Sequence, residues 1–148
     1  MASIVDVAAY ILDQCKSLST MKLQKLTFYS QAHSLATLGT PLFNEDFEAW
    51  RAGPVSTELF SKHRGFFIIE AGQLKAKSTN LTDQEKNIVD AVCNKLGKLT
   101  GNDLSNRSHR EDPWKNARSG LSPSAPSQNL ISKDSIREYY SIHRVVDF

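Results

Sequence analysis

The sequence is poor in cysteine: 148 residues carry two, Cys15 and Cys93. Two thiols cannot build a disulfide framework, nor by themselves a four-thiolate zinc site. No apolar run approaches the roughly 18 residues that a membrane helix needs. The N-terminus, Met1-Ala2-Ser3-Ile4-Val5-Asp6, lacks a basic segment, and Asp6 interrupts any apolar one, so no signal peptide is expected. Without a secretory signal, the sequons Asn80-Leu81-Thr82 and Asn106-Arg107-Ser108 read as chance. Charge of one sign is also missing. Eighteen Lys and Arg against sixteen Asp and Glu leave a net charge of +2, too small to argue for nucleic-acid binding by electrostatics. No Gly-x-Gly-x-x-Gly and no P-loop occurs. What is present is a globular composition, 40% hydrophobic and 23% charged. The expectation is a single domain over 1–148, soluble and cytoplasmic, with reduced thiols and no membrane contact.

Apolar residues recur at helical steps in several stretches. Ile4, Val7, Ala8, Ile11, Leu12 and Cys15 form one face, with Ser3 as a cap and Cys15 as a core thiol. A second helix is predicted from Thr20, as its cap, to Leu38, with Leu23, Leu26, Tyr29, Ala32 and Leu35 inward. Gly39 and Pro41 end it. Residues from Pro41 to Trp50 lack helical period and read as a turn and a short extended piece rich in aromatics. Gly53-Pro54 breaks the chain before a short helix from Ser56 that holds Leu59, Phe60 and His63. The apolar run Gly65 to Gly72 fits a short strand or a buried linker, and Gln73 to Asn80 a surface loop. Thr82 and Glu85 form a capping box ahead of Ile88, Val89, Val92, Cys93 and Leu96. A shorter helix follows from Thr100, and Asp112 is expected to cap another with Pro113 in its first position. After the Ser- and Pro-rich loop 120–129, Ser132 or Asp134 opens a last helix with Ile136, Tyr139 and Tyr140 inward. The fold class is therefore mainly α: about six or seven helices, with at most a small extended or β-hairpin element.

Few residues form a chemical constellation. His109-Arg110-Glu111 has the spacing of a zinc deaminase, but that chemistry needs a downstream Pro-Cys-x-x-Cys, and no cysteine follows Cys93. His33, His63, His109 and His143 form no pair at metal-binding spacing. Lys22, Lys25, Lys62, His63 and Arg64 read as a basic patch or as solvated faces of amphipathic helices. Two clusters stand out: Trp50 and Arg51 before Gly53-Pro54, and His109 to Trp114 around Pro113. Each sets a tryptophan among charges beside a proline turn. Core anchoring is one reading; a recognition surface is the other, because Trp and Arg are enriched at protein–protein hot spots.

Several segments, in this order, resemble the Panacea domain, a family that includes SocA-like antitoxins and phage-associated GepA proteins. They are Met21 to Ala32, Gly39 to Phe43, Glu48-Ala49-Trp50-Arg51-Ala52-Gly53-Pro54-Val55, His109-Arg110-Glu111-Asp112-Pro113-Trp114, and Ile131 to Tyr140. Thr27 and Ser30 depart from the more apolar family pattern, and Ser108 stands where threonine usually precedes the histidine.

The resemblance implies a mostly helical bacterial or prophage protein. It implies an antitoxin that binds a toxin encoded beside it and, for SocA-like members, an adaptor that delivers the toxin to an ATP-dependent protease. No catalytic set, cofactor or metal comes with it. Arg51 and Arg110 are the expected toxin-binding residues. Trp50, Gly53, Pro54, His109, Glu111, Asp112, Pro113 and Trp114 are expected to support them structurally. The alternative is a small phage-encoded enzyme, or a nucleic-acid-binding protein, using the His109-Glu111-Asp112 region.

Overall fold

A computed structural model describes residues 1–146; positions 147 and 148, assigned above to the same domain, lie outside the described residues. Among the described residues the chain forms seven α-helices: α1 (Ile4–Cys15), α2 (Thr20–Thr37), α3 (Thr57–His63), α4 (Asp83–Leu96), α5 (Gly101–His109), α6 (Asp112–Ala117) and α7 (Lys133–Ile142). Five short strands join them: β1 (Ser17–Ser19), β2 (Phe47–Trp50), β3 (Gly53–Val55), β4 (Ile68–Glu70) and β5 (Leu130–Ile131). β1 and β4 pair antiparallel, and a second antiparallel sheet has the order β3-β2-β5. The mainly α expectation holds, with two small sheets instead of one extended element. No described helix is long and apolar enough to cross a membrane.

Caps fix where the helices begin. Ser3 and Asp6 cap α1 reciprocally, and Thr82 and Glu85 do the same for α4. Thr100 and Asp103 form a third capping box at α5. Each box satisfies backbone donors that a helix start would otherwise leave unpaired. Two expected caps are displaced by one residue. Ser19, not Thr20, accepts from the Lys22 N–H, while the Thr20 hydroxyl donates to Phe66 O instead. At α6 the cap position is Glu111, not Asp112, and no side chain caps it. The Glu111 carboxylate is turned into the core, as described below.

α2 is the central helix, packed by α1, α4, α5 and α7. From Leu23 to Leu35 every residue is buried, so its polar residues need internal partners. Thr27 and Ser30, the two departures from the apolar pattern, donate to the carbonyls of Leu23 and Leu26 one turn back. Gln31 donates to Phe43 O and accepts from the Leu42 N–H, which pins the loop after Gly39. Gly39 has φ +75, the left-handed conformation expected of it. Phe28, Tyr29, Phe43, Phe47 and Tyr140 gather beside α2, four of their pairs edge-to-face with centroids 5.2–6.1 Å apart.

The run Gly65 to Gly72 resolves as strand β4 with only Ile69 buried; Phe66, Phe67 and Ile68 face outward. It is not a buried linker. Cys15 is half-buried at the edge of the core rather than inside it. The proposed basic patch does not form, because Lys25 is 1% exposed and His63 4%.

Candidate functional site

The two tryptophan clusters, far apart in sequence, meet in space. β2 and β3 form a hairpin whose two-residue turn is Arg51-Ala52, with Trp50 opposite Gly53. Neither turn residue has positive φ; the left-handed backbone falls on Gly53, at φ +116. A side chain there is excluded twice, since a Cβ would lie 2.5 Å from Lys25 Cε and 3.0 Å from Ser108 Oγ. Pro54 follows on an edge strand, where its missing N–H costs no ladder bond.

The end of α5 and the start of α6 close over this hairpin. Trp114 Nε1 donates to Trp50 O at 2.8 Å, and the Ser105 hydroxyl donates to Ala52 O. Both carbonyls flank Arg51. The His109 ring stacks on Trp114 with centroids 4.1 Å apart, and the Arg118 guanidinium also lies over that indole, 4.6 Å from the ring centroid. Arg118 is buried and reaches Ala49 O, Ser122 O and Ala125 O, so it holds β2 and the Ser- and Pro-rich loop together. Burial pushes the His109 ring below its ordinary pKa; the Arg51 backbone opposes this, and Lys25 and Arg118 add to it.

Beneath the hairpin lies Lys25. Its ammonium nitrogen donates to Pro54 O at 3.1 Å. Burial alone lowers its pKa to about 7. Its neighbour Gln24 accepts from the Ser56 N–H and donates to Ser56 O. That orientation aims the Gln24 amide group at His63 Nε2, 3.0 Å away, which must therefore accept. His63 is held neutral, and burial lowers its pKa accordingly.

Glu111 serves a different purpose from His109. Its Oε1 accepts from Tyr29 at 2.5 Å and from Tyr140 at 2.9 Å, and its Oε2 pairs with Arg107. Burial, then the Glu111 charge and hydrogen bond, push the Tyr29 hydroxyl pKa up. Asp112 is exposed and lines a groove of about 320 Å³ with Pro113 and α7 residues. His109 stacks on Trp114, Glu111 turns to Tyr29, Tyr140 and Arg107, and Asp112 is exposed, so the three do not share one set of contacts as an enzymatic triad would. Among the described residues no group of three or more His, Cys, Asp or Glu is placed to hold a metal ion.

Arg51 and Arg110 are both exposed. Neither guanidinium has a hydrogen-bond or ion-pair partner among the described residues, whose two ion pairs are Arg107–Glu111 and Lys133–Asp46. Arg51 lines a groove of about 330 Å³ with Trp50, Ala52, Pro126, Ser127 and Gln128. Trp50 is half-buried and forms a wall of that groove, whereas Trp114 is 4% exposed and lies beneath the turn. Sequence reasoning missed Ser105 and Arg118, and it set Lys25 in a basic patch or solvated face instead of beneath the hairpin. A signal for Arg118 exists: it stands four residues after Trp114, on the same helical face. None exists for Lys25 or Ser105, whose partners are remote backbone carbonyls.

No curated protein and no solved structure matches the chain. A family model does, described as antitoxin SocA-like, Panacea domain, over residues 23–115. The match takes in α2 from Leu23, the β2–β3 hairpin and the α5–α6 corner through Trp114, while Arg118 and the groove wall of Pro126, Ser127 and Gln128 lie beyond it. The chain belongs to the SocA-like antitoxin, Panacea domain family.

Proposed function

We propose that this protein is the antitoxin of a type II toxin–antitoxin pair, a single cytoplasmic domain over 1–148 that neutralises a toxin encoded beside it by direct binding. The observation that carries this reading is the family match over residues 23–115, which contains both arginine motifs. The mechanism is occlusion: the antitoxin covers a toxin surface across an interface of standard size, about 1,200–2,000 Å² in total. No catalytic group or cofactor takes part. Delivery of the bound toxin to an ATP-dependent protease extends the same reading, since an adaptor needs only a second contact.

Arg51 and Arg110 are the residues assigned to the toxin-facing surface. Arg51 sits on a two-residue turn whose flanking carbonyls are tied down by Trp114 and Ser105. A side chain presented from a fixed backbone loses less freedom on binding than one on a mobile loop. Free, exposed guanidiniums can take carboxylates in bidentate geometry.

Co-expression with the adjacent reading frame tests the function. The expected result is a neighbour that arrests growth alone and is silenced by this protein, with the two purifying together. A harmless neighbour, or one that stays toxic in the presence of this protein, overturns the reading.

A further inference from the structure

The two cysteines are not used by the antitoxin reading, yet they are not scattered. Cys15 is the last residue of α1 and Cys93 lies on α4, and these helices pack against each other. One turn nearer the N-terminus on each helix, the Tyr10 hydroxyl donates to Asp90 Oδ1 at 2.8 Å, which fixes the two helices' register. Both thiols are free and half-buried, and each is the largest influence on the other's titration. Lys22 adds a positive charge beside the pair. Its ammonium is anchored by donating to Gly97 O at the end of α4, 2.7 Å away.

We propose that Cys15 and Cys93 are a peroxide-reactive dithiol that closes to an intramolecular disulfide joining α1 to α4. Hydrogen peroxide is the oxidant. The Cys15 thiolate attacks one peroxide oxygen, the O–O bond breaks, and Cys15 becomes a sulfenic acid. The departing hydroxide takes up the proton that Cys15 lost and leaves as water. The Cys93 sulfur then attacks the Cys15 sulfur, the S–O bond breaks, and the hydroxyl leaves as a second water with the Cys93 proton. Two thiols lose two electrons, and one peroxide is reduced to two waters.

The order of attack follows from the surroundings. The hydrogen bond from Cys93 and the charge of Lys22, against burial, bring the Cys15 thiol down to about 7. The Cys93 thiol moves the other way, through its bond to Cys15, its deeper burial and the nearby Asp90 charge. Cys15 is therefore the attacking sulfur and Cys93 the resolving one. In a reducing compartment such a disulfide is a transient, reversible state. Because it closes the long chain segment between positions 15 and 93, the oxidised protein should melt at a higher temperature than the reduced one.

The test treats the purified, reduced full chain with hydrogen peroxide and follows intact mass, free thiols and a non-reducing peptide map. The expected result is loss of both thiols, a product lighter by two hydrogens, one cross-linked peptide joining Cys15 to Cys93, and full reversal by dithiothreitol. In Cys93→Ser the Cys15 sulfenic acid should accumulate and be trapped by dimedone. In Cys15→Ser, Cys93 should stay reduced over the same time. Wild-type thiols that survive, or that gain oxygens independently without a cross-link, overturn the proposal even if a variant fails to fold. So does a Cys93 that reacts as fast in Cys15→Ser as in the wild type.

Discussion

The two small sheets differ in what holds them. The sheet β3-β2-β5 is gripped by side chains from other elements: Trp114 on Trp50 O, Arg118 on Ala49 O, Lys25 on Pro54 O and Ser105 on Ala52 O. Each bond ends on a backbone carbonyl, so the path of the hairpin is fixed independently of the side chains it displays. The pair β1 and β4 is held by its own ladder and by Leu18 and Ile69 reaching into the core. Its outer side leaves Phe66 47%, Phe67 81% and Ile68 47% exposed. The first sheet holds its turn in one geometry, which suits the binding role proposed for it. The second is anchored through one residue per strand, and its outer face is free to vary.

The largest effect should come from the first sheet. Trp114→Ala removes the indole that His109 and Arg118 pack against, along with the bond to Trp50 O. A loss of about 3–5 kcal/mol in urea unfolding is expected. A loss under about 1 kcal/mol would mean that the hairpin is not locked from below. Next is Ile69, the fully buried residue of β4. Ile69→Ala should cost about 2–5 kcal/mol.

Lys25 gives the locked sheet a pH signature. Its folded pKa of about 7 lies below the ordinary 10.5. Above pH 7 the unfolded chain binds a proton that the folded chain has released, so stability rises with pH, by at most about 1.4 kcal/mol per unit. Below pH 7 both states are protonated and the penalty for burying the charge is fully present. Tyr10, Tyr29 and Tyr140, whose pKa values are raised, act in the opposite direction above about pH 10. The difference between wild type and Lys25→Met, taken between pH 7 and about 9, isolates the lysine. The wild type should show the steeper rise; parallel curves would place the Lys25 ammonium in water.

The smallest effect should come from the outer face of the second sheet. Phe67→Ser should change stability by no more than about 0.5 kcal/mol in the same unfolding experiment. A change as large as that of Ile69→Ala would erase the contrast between the buried Ile69 and the exposed Phe67 just before β4.

Much of the helical frame was legible because its signals are local. The Thr82–Glu85 box, Ser3, Ser56 and Gly39 each act within a few residues of themselves. The one-residue errors have tertiary causes. Glu111 holds the cap position of α6 but spends its carboxylate on Tyr29 and Tyr140, on α2 and α7. β5 is two residues long and exists because Leu130 and Ile131 meet β2, which no periodicity of its own announces. For the site, the residue types and both motifs could be read, but their meeting could not. Gln24 and Lys25 look like the wet side of an amphipathic helix. They are buried because α2 is surrounded, and their partners at Ser56 and Pro54 lie about thirty residues downstream.

In the proposed reading the locked hairpin displays Arg51, with Arg110 at the end of α5, toward a toxin. Charge reversal of each, Arg51→Glu and Arg110→Glu, tests it most directly when melting temperature and affinity for the co-expressed toxin are measured on the same samples. Both side chains are exposed and unpaired among the described residues, so melting should stay near that of the wild type, within about 0.5 kcal/mol of stability. Binding should weaken by about 2 kcal/mol or more, a thirty-fold or larger rise in Kd to order of magnitude, about what a hot spot carries. A large drop in melting temperature with unchanged affinity of the folded fraction would contradict the account.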